Sequence, residues 1–135
     1  MNPDDVKKAI KPTTVMVSVM YANGEIGSIE PIREIGAITR EKGIIFHSDA
    51  VAAVGQVPVN VAEAQVDALS MSANQFGGPS GIGALYLREG MRILPLLQGG
   101  VQEGGRRAGT ENITGIVGMG KAAELANAEM PQRVD

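Results

Sequence analysis

The 135-residue chain contains no cysteine and a single histidine. Without cysteine it can form no disulfide, offer no thiolate nucleophile and supply no sulfur ligand to a metal. One histidine makes a zinc site a poor interpretation, because zinc sites combine several histidine, cysteine or carboxylate ligands. Tryptophan is absent and aromatic residues make up only 3% of the chain. Core packing must therefore come mainly from aliphatic side chains and methionine.

Long apolar runs and an excess of positive charge are also missing. No apolar stretch approaches the ~18 residues that a membrane-spanning helix needs, and the first residues lack the basic-then-apolar order of a signal peptide. The net charge of −3 gives no reason to expect nucleic acid or an acidic membrane surface as a partner. We expect a cytoplasmic protein with one domain over residues 1–135.

Strand-like and helix-like segments alternate, which predicts an α/β fold with a mainly parallel sheet and helices on both faces. The clearest strand, Thr13–Met20, is apolar on both faces, as central parallel strands are. Two later strands joined by a short glycine loop are predicted to pair antiparallel. The other predicted segments are a helix from Pro31 to Lys42, strands over Ile44–His47, Val66–Met71 and Ile82–Arg88, a short helical segment over Ala50–Val54, and a helix over Glu111–Glu129.

The stretch Ser70–Gly83 combines small hydroxyl residues, two amides and four glycines between two of these strands. Glycines allow positive φ and let other groups approach the backbone closely. Ser72 places a hydroxyl at a strand end, where open α/β sheets present groups to ligands. The same pattern also fits a plain connection between strands.

Two polar residues follow the first two predicted strands. Asp49 is a carboxylate that needs a positive or hydrogen-donating partner, and a protonated pyridine nitrogen is one such partner. Taken alone, Asp49 fits a helix N-cap better. Asn23 can donate from its amide to a ligand oxygen, although a turn asparagine beside Gly24 explains it equally well.

The remaining polar candidates have equally simple structural explanations. His47 fits a satisfied core histidine better than a catalytic one. Ser72 can bind a phosphate or merely end a strand. Arg106 and Arg107, near Thr110 in a glycine-rich loop, can meet an anion, but solvated loop charges are the commoner outcome. The order of these residues along the chain carries more weight than any one of them.

That order resembles the cysteine desulfurases, pyridoxal-phosphate enzymes of the class V aminotransferase group and fold type I. Val17–Gly27 is similar to their asparagine loop, and His47–Val59 to their cofactor-aspartate segment. Gly99–Asn112 resembles their glycine-arginine loop. The similarity extends from about Asp4 to Ala126, and it implies the central part of the large, cofactor-binding domain.

The resemblance also implies roles for single residues. Asn23 would contact pyridoxal 5'-phosphate, Asp49 would pair with its pyridine nitrogen, and Ser72 would bind its phosphate. Thr110 would reach the phosphate held by the other subunit of a dimer. The family's enzymes take sulfur from L-cysteine, leaving alanine and a persulfide that supplies iron–sulfur scaffolds and other sulfur acceptor proteins.

The chain departs from the family at the position of its catalytic lysine. Asn74 and Gln75 stand where the family has a His-Lys pair, so Asn74 is kept as a candidate cofactor contact. Gln75 occupies the position of the Schiff-base lysine, and a carboxamide is neither nucleophilic nor basic near neutral pH. Ala52 and Ser80 replace two further polar residues of the family. No catalytic residue is therefore assigned.

The chain also lacks the family's catalytic cysteine, upstream phosphate loop and stacking histidine. Alone it is expected to be inactive as a desulfurase. A degenerate scaffold or partner-binding homologue is the alternative, and a phosphate- or nucleotide-binding module has little support without a P-loop or dinucleotide fingerprint. Apolar strand edges predict a homodimer or larger oligomer.

Overall fold

The computed structural model describes residues 1–133, which form a mixture of helices and strands. The helices are α1 (Pro3–Ala9), α2 (Ile32–Glu41), α3 (Gln102–Gly105) and α4 (Ile113–Arg133), and a 3-10 turn covers Ala73–Phe76. The strands are β1 (Met16–Met20), β2 (Ala22–Asn23), β3 (Ser28–Ile29), β4 (Ile45–Asp49), β5 (Ala68–Ser72) and β6 (Gly83–Leu87).

Four strands form one sheet in the order β1-β4-β5-β6. The β1–β4 and β4–β5 pairs are parallel, whereas β6 returns antiparallel to β5. Strands β2 and β3 make a separate small hairpin. The mainly parallel sheet and the antiparallel return through the glycine loop are thus confirmed.

Helix α2 connects β1 to β4 and supplies one wall of the core. Pro31 precedes its first residue, where a fixed φ favours helix initiation, and Gly43 adopts φ 65 just after its end, a conformation that glycine tolerates without strain. Ile32 and Ile35 of this helix are fully buried against Phe46 and Leu69 of the sheet. This aliphatic layer fixes which face of the sheet points inward.

Alternation along the strands places a different set of side chains on the opposite face. In β1, Val17 and Val19 contribute to the core, whereas Met16, Ser18 and Met20 are exposed. The outward residues of β4 and β5 include His47 and Ser70. This second face is a mixture of methionine, hydroxyl and imidazole groups.

Asp67 ties the sheet together at the amino-terminal side of β5. Its Oδ2 accepts the backbone N–H of Phe46 at 2.9 Å, and its Oδ1 accepts from Nε of Arg88 at 2.6 Å. Nη2 of Arg40, near the end of α2, lies 4.0 Å from the same oxygen. One buried carboxylate therefore joins β4, the end of β6 and α2.

Two of the predicted helical segments differ from the structure. The helix expected over Ala50–Val54 is not formed. The N–H of Val54 does bond to the carbonyl of Ala50 at 3.0 Å, but Gly55 at φ 79 redirects the backbone after one turn. The long C-terminal helix, α4, begins later and runs further than predicted. Its Ala122 and Ala126 pack against Phe76 of the 3-10 turn.

No helix within residues 1–133 is both long and apolar enough to cross a membrane.

Candidate functional site

The carboxyl ends of the parallel strands bring three of the predicted site residues to one edge of the sheet. Asp49 is the last residue of β4 and Ser72 the last of β5. Asn23 follows the end of β1 by three residues. Since parallel strands end at the same edge, these three side chains lie at the place where open α/β sheets bind ligands.

Asp49 stabilises a turn and is not the helix N-cap that the sequence offered as an alternative, because no helix forms between β4 and β5. Its Oδ1 accepts the N–H of Val51 at 3.0 Å and so orders the turn that follows β4. Its second carboxylate oxygen has no hydrogen-bond partner among residues 1–133. The carboxylate is exposed, and one oxygen is left for a donor from outside the chain.

The glycine-rich stretch folds back on itself just after β5. The Ser72 hydroxyl donates to Oδ1 of Asn74 at 2.6 Å, so these two candidate residues are in direct contact. The carbonyl of Gln75 accepts from Nε2 of Gln56 at 3.0 Å. Gly77 ends the 3-10 turn at φ 87, which a residue with a Cβ would adopt only with strain.

Glycine is also required where the stretch enters β6. A Cβ on Gly83 would lie 2.7 Å from the backbone oxygen of Met71. The absence of a side chain therefore allows β6 to approach β5 closely enough to pair. The glycines of this segment serve the hairpin geometry, and their loop carries the Ser72–Asn74 pair at its start.

The side chain of Asn23 forms hydrogen bonds mainly within its own turn. Its Oδ1 accepts the N–H groups of Glu25 at 2.9 Å and Ile26 at 3.2 Å. Its Nδ2 has only a weak contact, 3.8 Å from Sδ of Met20. The amide thus keeps a donor that a stronger acceptor can take, while the turn holds it in place.

Thr110 is not joined to the other candidates by any hydrogen bond in the described part of the chain. It lies exposed in the loop between α3 and α4. Arg106 and Arg107 bond to carbonyls of their own loop, those of Glu103 at 3.3 Å and Gly109 at 3.2 Å. These hydrogen bonds order the loop locally, and neither of them reaches Asn23, Asp49 or Ser72.

His47 makes contacts that the sequence did not reveal. Its Nδ1 lies 2.8 Å from the hydroxyl of Ser18 in β1, and its Nε2 lies 2.8 Å from the hydroxyl of Ser70 in β5. The histidine is thus satisfied, as expected, but half-buried on the outer face of the sheet. Because successive side chains of a strand point to opposite faces, the sequence could have shown that His47 and Asp49 lie on the same face.

Other features of the described residues do not form competing sites. No group of three or more histidine, aspartate or glutamate residues in positions 1–133 is placed to hold a metal ion. Burial raises the pKa of Tyr21, and the charge of Glu63 raises it further. A cavity of about 440 Å³ between α1 and β1 is lined by Val6, Val17 and Val19, on the face away from His47. It is apolar and offers no chemistry.

Comparison with known proteins gives a consistent result. The family model described as "Aminotransferase class-V" matches residues 1–133. The chain is 56% identical over 135 residues to the cysteine desulfurase IscS of Dictyoglomus turgidum, covering 100% of this chain and 34% of that protein. It is 54% identical over 132 residues to the cysteine desulfurase IscS of Methanosarcina thermophila, covering 98% and 33%.

Solved structures agree with the sequence comparison. A NifS-like protein superposes with a TM-score of 0.93 at 39% identity, over 98% of this chain and 37% of that one. A structure described as "SspA in complex with cysteine" superposes with a TM-score of 0.89 at 38% identity, over 92% and 36%. The chain therefore spans about a third of the length of the curated relatives it matches.

Proposed function

The chain belongs to the class-V aminotransferase family, and we propose that it forms the pyridoxal-phosphate-binding edge of a cysteine desulfurase-like protein. The observation that carries this proposal is the convergence of Asn23, Asp49 and Ser72 at the carboxyl ends of β1, β4 and β5. A carboxylate, a hydroxyl and an amide at one edge match the cationic ring, the phosphate and the ring oxygen of that cofactor.

Asp49 is proposed to hold the pyridine nitrogen. Its oxygen without a described partner is an acceptor for the ring N–H, while the bond from Val51 fixes the orientation of the carboxylate. When bound, pyridoxal phosphate supplies an electron sink for the α-carbon of an amino acid. The negative charge of Asp49 favours the protonated ring, which strengthens that property.

Ser72 and Asn74 are proposed to bind the phosphate together. In the structure the Ser72 hydroxyl donates to Asn74 at 2.6 Å, so a phosphate oxygen would replace the amide oxygen as its acceptor. The Nδ2 group of Asn74 then offers a second donor. Thr110 is proposed to serve the phosphate bound by a second copy, in keeping with its exposure on a separate loop.

Gln75 limits what this edge can do. A carboxamide cannot attach the cofactor covalently or move a proton at the substrate carbon, and the chain has no cysteine to carry sulfur. We propose that the chain binds the cofactor without a covalent bond and does not itself complete sulfur transfer. L-cysteine as the substrate, and an iron–sulfur scaffold or another sulfur acceptor as the partner, belong to the proposal through the family.

A homodimer or larger assembly in the cytoplasm completes the proposal. The loop that precedes α3 exposes four apolar residues, which water would disfavour in a monomer. Leu94 and Leu96 are 94% and 95% exposed, and Leu97 and Val101 are exposed as well. A second copy seated on this loop would bury them close to Thr110.

A scaffold role without catalysis is the second candidate function. The replacement of the family's lysine by Gln75 favours it, as do the strand-end residues already engaged in local hydrogen bonds, such as Asn23. This candidate predicts a folded, self-associating chain that does not bind pyridoxal phosphate.

An absorbance titration with pyridoxal phosphate, with and without L-cysteine, tests the proposed function. We expect a saturable spectral change with the wild-type chain. Asp49→Asn should weaken it strongly while keeping an oxygen for the N–H of Val51, and Asp5→Asn in α1 is the matched control, expected to bind normally. A spectrum identical to that of free cofactor would refute binding and favour the scaffold role.

A further inference from the structure

A side-chain hydrogen bond joins the segment that follows β4 to the turn that follows β5. Nε2 of Gln56 donates to the backbone carbonyl of Gln75 at 3.0 Å, across 19 residues of sequence. The acceptor belongs to the backbone of the 3-10 turn, Ala73–Phe76. The bond therefore holds the turn itself, whichever side chain stands at position 75.

The residues between Asp49 and Gln56 form a short series of backbone turns. Ala50 follows Asp49 directly, and its carbonyl accepts the N–H of Val54 at 3.0 Å. The carbonyl of Ala53 then accepts the N–H of Gln56 at 2.9 Å. Because backbone hydrogen bonds run along the whole segment, its two ends are held at a set spacing.

Packing joins the same two segments next to this hydrogen bond. Gly55 adopts φ 79, and a Cβ on it would collide with the Cβ of Phe76. Phe76 is 3% exposed and packs against α4. The packing sets the separation of the two segments, and the bond from Gln56 sets the direction of the peptide group between Gln75 and Phe76.

We propose that Gln56 is a positioning residue that fixes the backbone at position 75 relative to Asp49. This inference rests on the proposed function, in which Asp49 holds the ring nitrogen of pyridoxal phosphate. Position 75 is where the resemblance places the family's lysine. A group there can meet the cofactor only while the two positions are correctly spaced, so a contact that links them raises the fraction of time spent in that arrangement.

The test places an amine at position 75 and measures how readily it attaches to pyridoxal phosphate. In Gln75→Lys the amine condenses with the cofactor's aldehyde and releases water, and borohydride then reduces the C=N bond to a permanent link. Peptide mass spectrometry gives the labelled fraction at position 75 and at Lys121, an exposed lysine of α4 that serves as the internal reference. We expect position 75 to reach half-maximal labelling at a much lower cofactor concentration than Lys121.

Gln56→Met, which removes the donor but leaves a side chain of similar length, is then added to Gln75→Lys. We expect the half-maximal cofactor concentration at position 75 to rise about two- to fivefold, at the low end for a hydrogen bond because Gln56 is exposed. Labelling of Lys121 should not change. Gln56→Arg, which keeps N–H donors, should label position 75 as Gln75→Lys alone does, and Gln132→Met in α4 is the matched control. An unchanged concentration with Gln56→Met would overturn the proposal.

Amide hydrogen exchange in the ligand-free chain separates this inference from the proposed function. The N–H groups of Gly77 and Gly78 both bond to the carbonyl of Ala73, so their exchange reports opening of the turn. We expect Gln56→Met to speed this exchange about two- to fivefold and Gln132→Met to leave it unchanged. If position 75 labels no more readily than Lys121, the proposed function fails, and exchange alone decides the role of Gln56. Equal exchange in Gln56→Met and the wild-type chain then overturns it.

Discussion

Removing the carboxylate of Asp67 is expected to destabilise the chain strongly, because that group is the acceptor for a buried backbone donor. Asp67 is 7% exposed, and it accepts from the N–H of Phe46 at 2.9 Å and from Arg88 at 2.6 Å. Phe46 is itself fully buried. Asp67→Ala removes this acceptor and leaves the N–H of Phe46 without its side-chain partner.

The magnitude follows from those two contacts. A buried N–H left without a partner costs about 1–3 kcal/mol. The ion pair contributes less, because the side chain of Arg88 is 46% exposed, and such pairs are worth about 0.2–1 kcal/mol. The free energy of unfolding of Asp67→Ala should therefore fall by about 1–4 kcal/mol in total.

Urea unfolding followed by far-ultraviolet circular dichroism measures this change. Asp67→Asn keeps an oxygen for Phe46 and should lose only about 1 kcal/mol. Asp5→Ala is the matched control, since its 3.5 Å pair with Lys8 is exposed, and its effect should stay within about 0.5 kcal/mol. Equal unfolding midpoints for Asp67→Ala and Asp5→Ala would show that the Asp67 carboxylate contributes nothing to the stability of the fold.

Three further results are expected. Gly36→Ala should lower the unfolding midpoint, because its Cβ would collide with the backbone oxygen of Ala64, at a cost of about 1–3 kcal/mol; Gly120→Ala, with nothing within 4 Å, should instead stabilise α4 by up to about 1 kcal/mol. The pKa of Tyr21 is raised in the folded chain above its ordinary 10.0, so the unfolded chain loses that proton first and stability falls as pH rises above 10.0. Tyr21→Phe should reduce this alkaline loss when urea midpoints at about pH 9 and 11 are compared. Gln75→Lys should produce no alanine from L-cysteine, because the chain has no thiol; measurable alanine would contradict this.

The regular elements with long, strongly patterned segments were predictable from the sequence. Helix α2 is bounded as Pro31 and Gly43 indicated. The first strand was predicted three residues too long at its start, since β1 pairs only from Met16, opposite Ile45, where β4 begins. The β2–β3 hairpin was missed because strands of two residues carry no periodicity.

The candidate site was predictable in part. Strand ends and their polar residues can be located along the sequence, and so Asp49, Ser72 and Asn23 were found at one edge. Their present partners could not be predicted, because each turn selects its own hydrogen bonds, as Asn74 does with Ser72. Their proposed roles toward the cofactor remain predictions that the binding experiments test.

The sequence by itself determined the order of the elements, the absence of any thiol in this chain and the amide of Gln75, which the resemblance places where the family has its lysine. Only the tertiary structure decided which polar groups meet across the sheet. Ser18 and Ser70 lie 29 and 23 residues from His47 along the chain, and Asp67 lies 21 residues from Phe46. Such contacts depend on strand register, and a shift of one residue would turn each side chain to the other face.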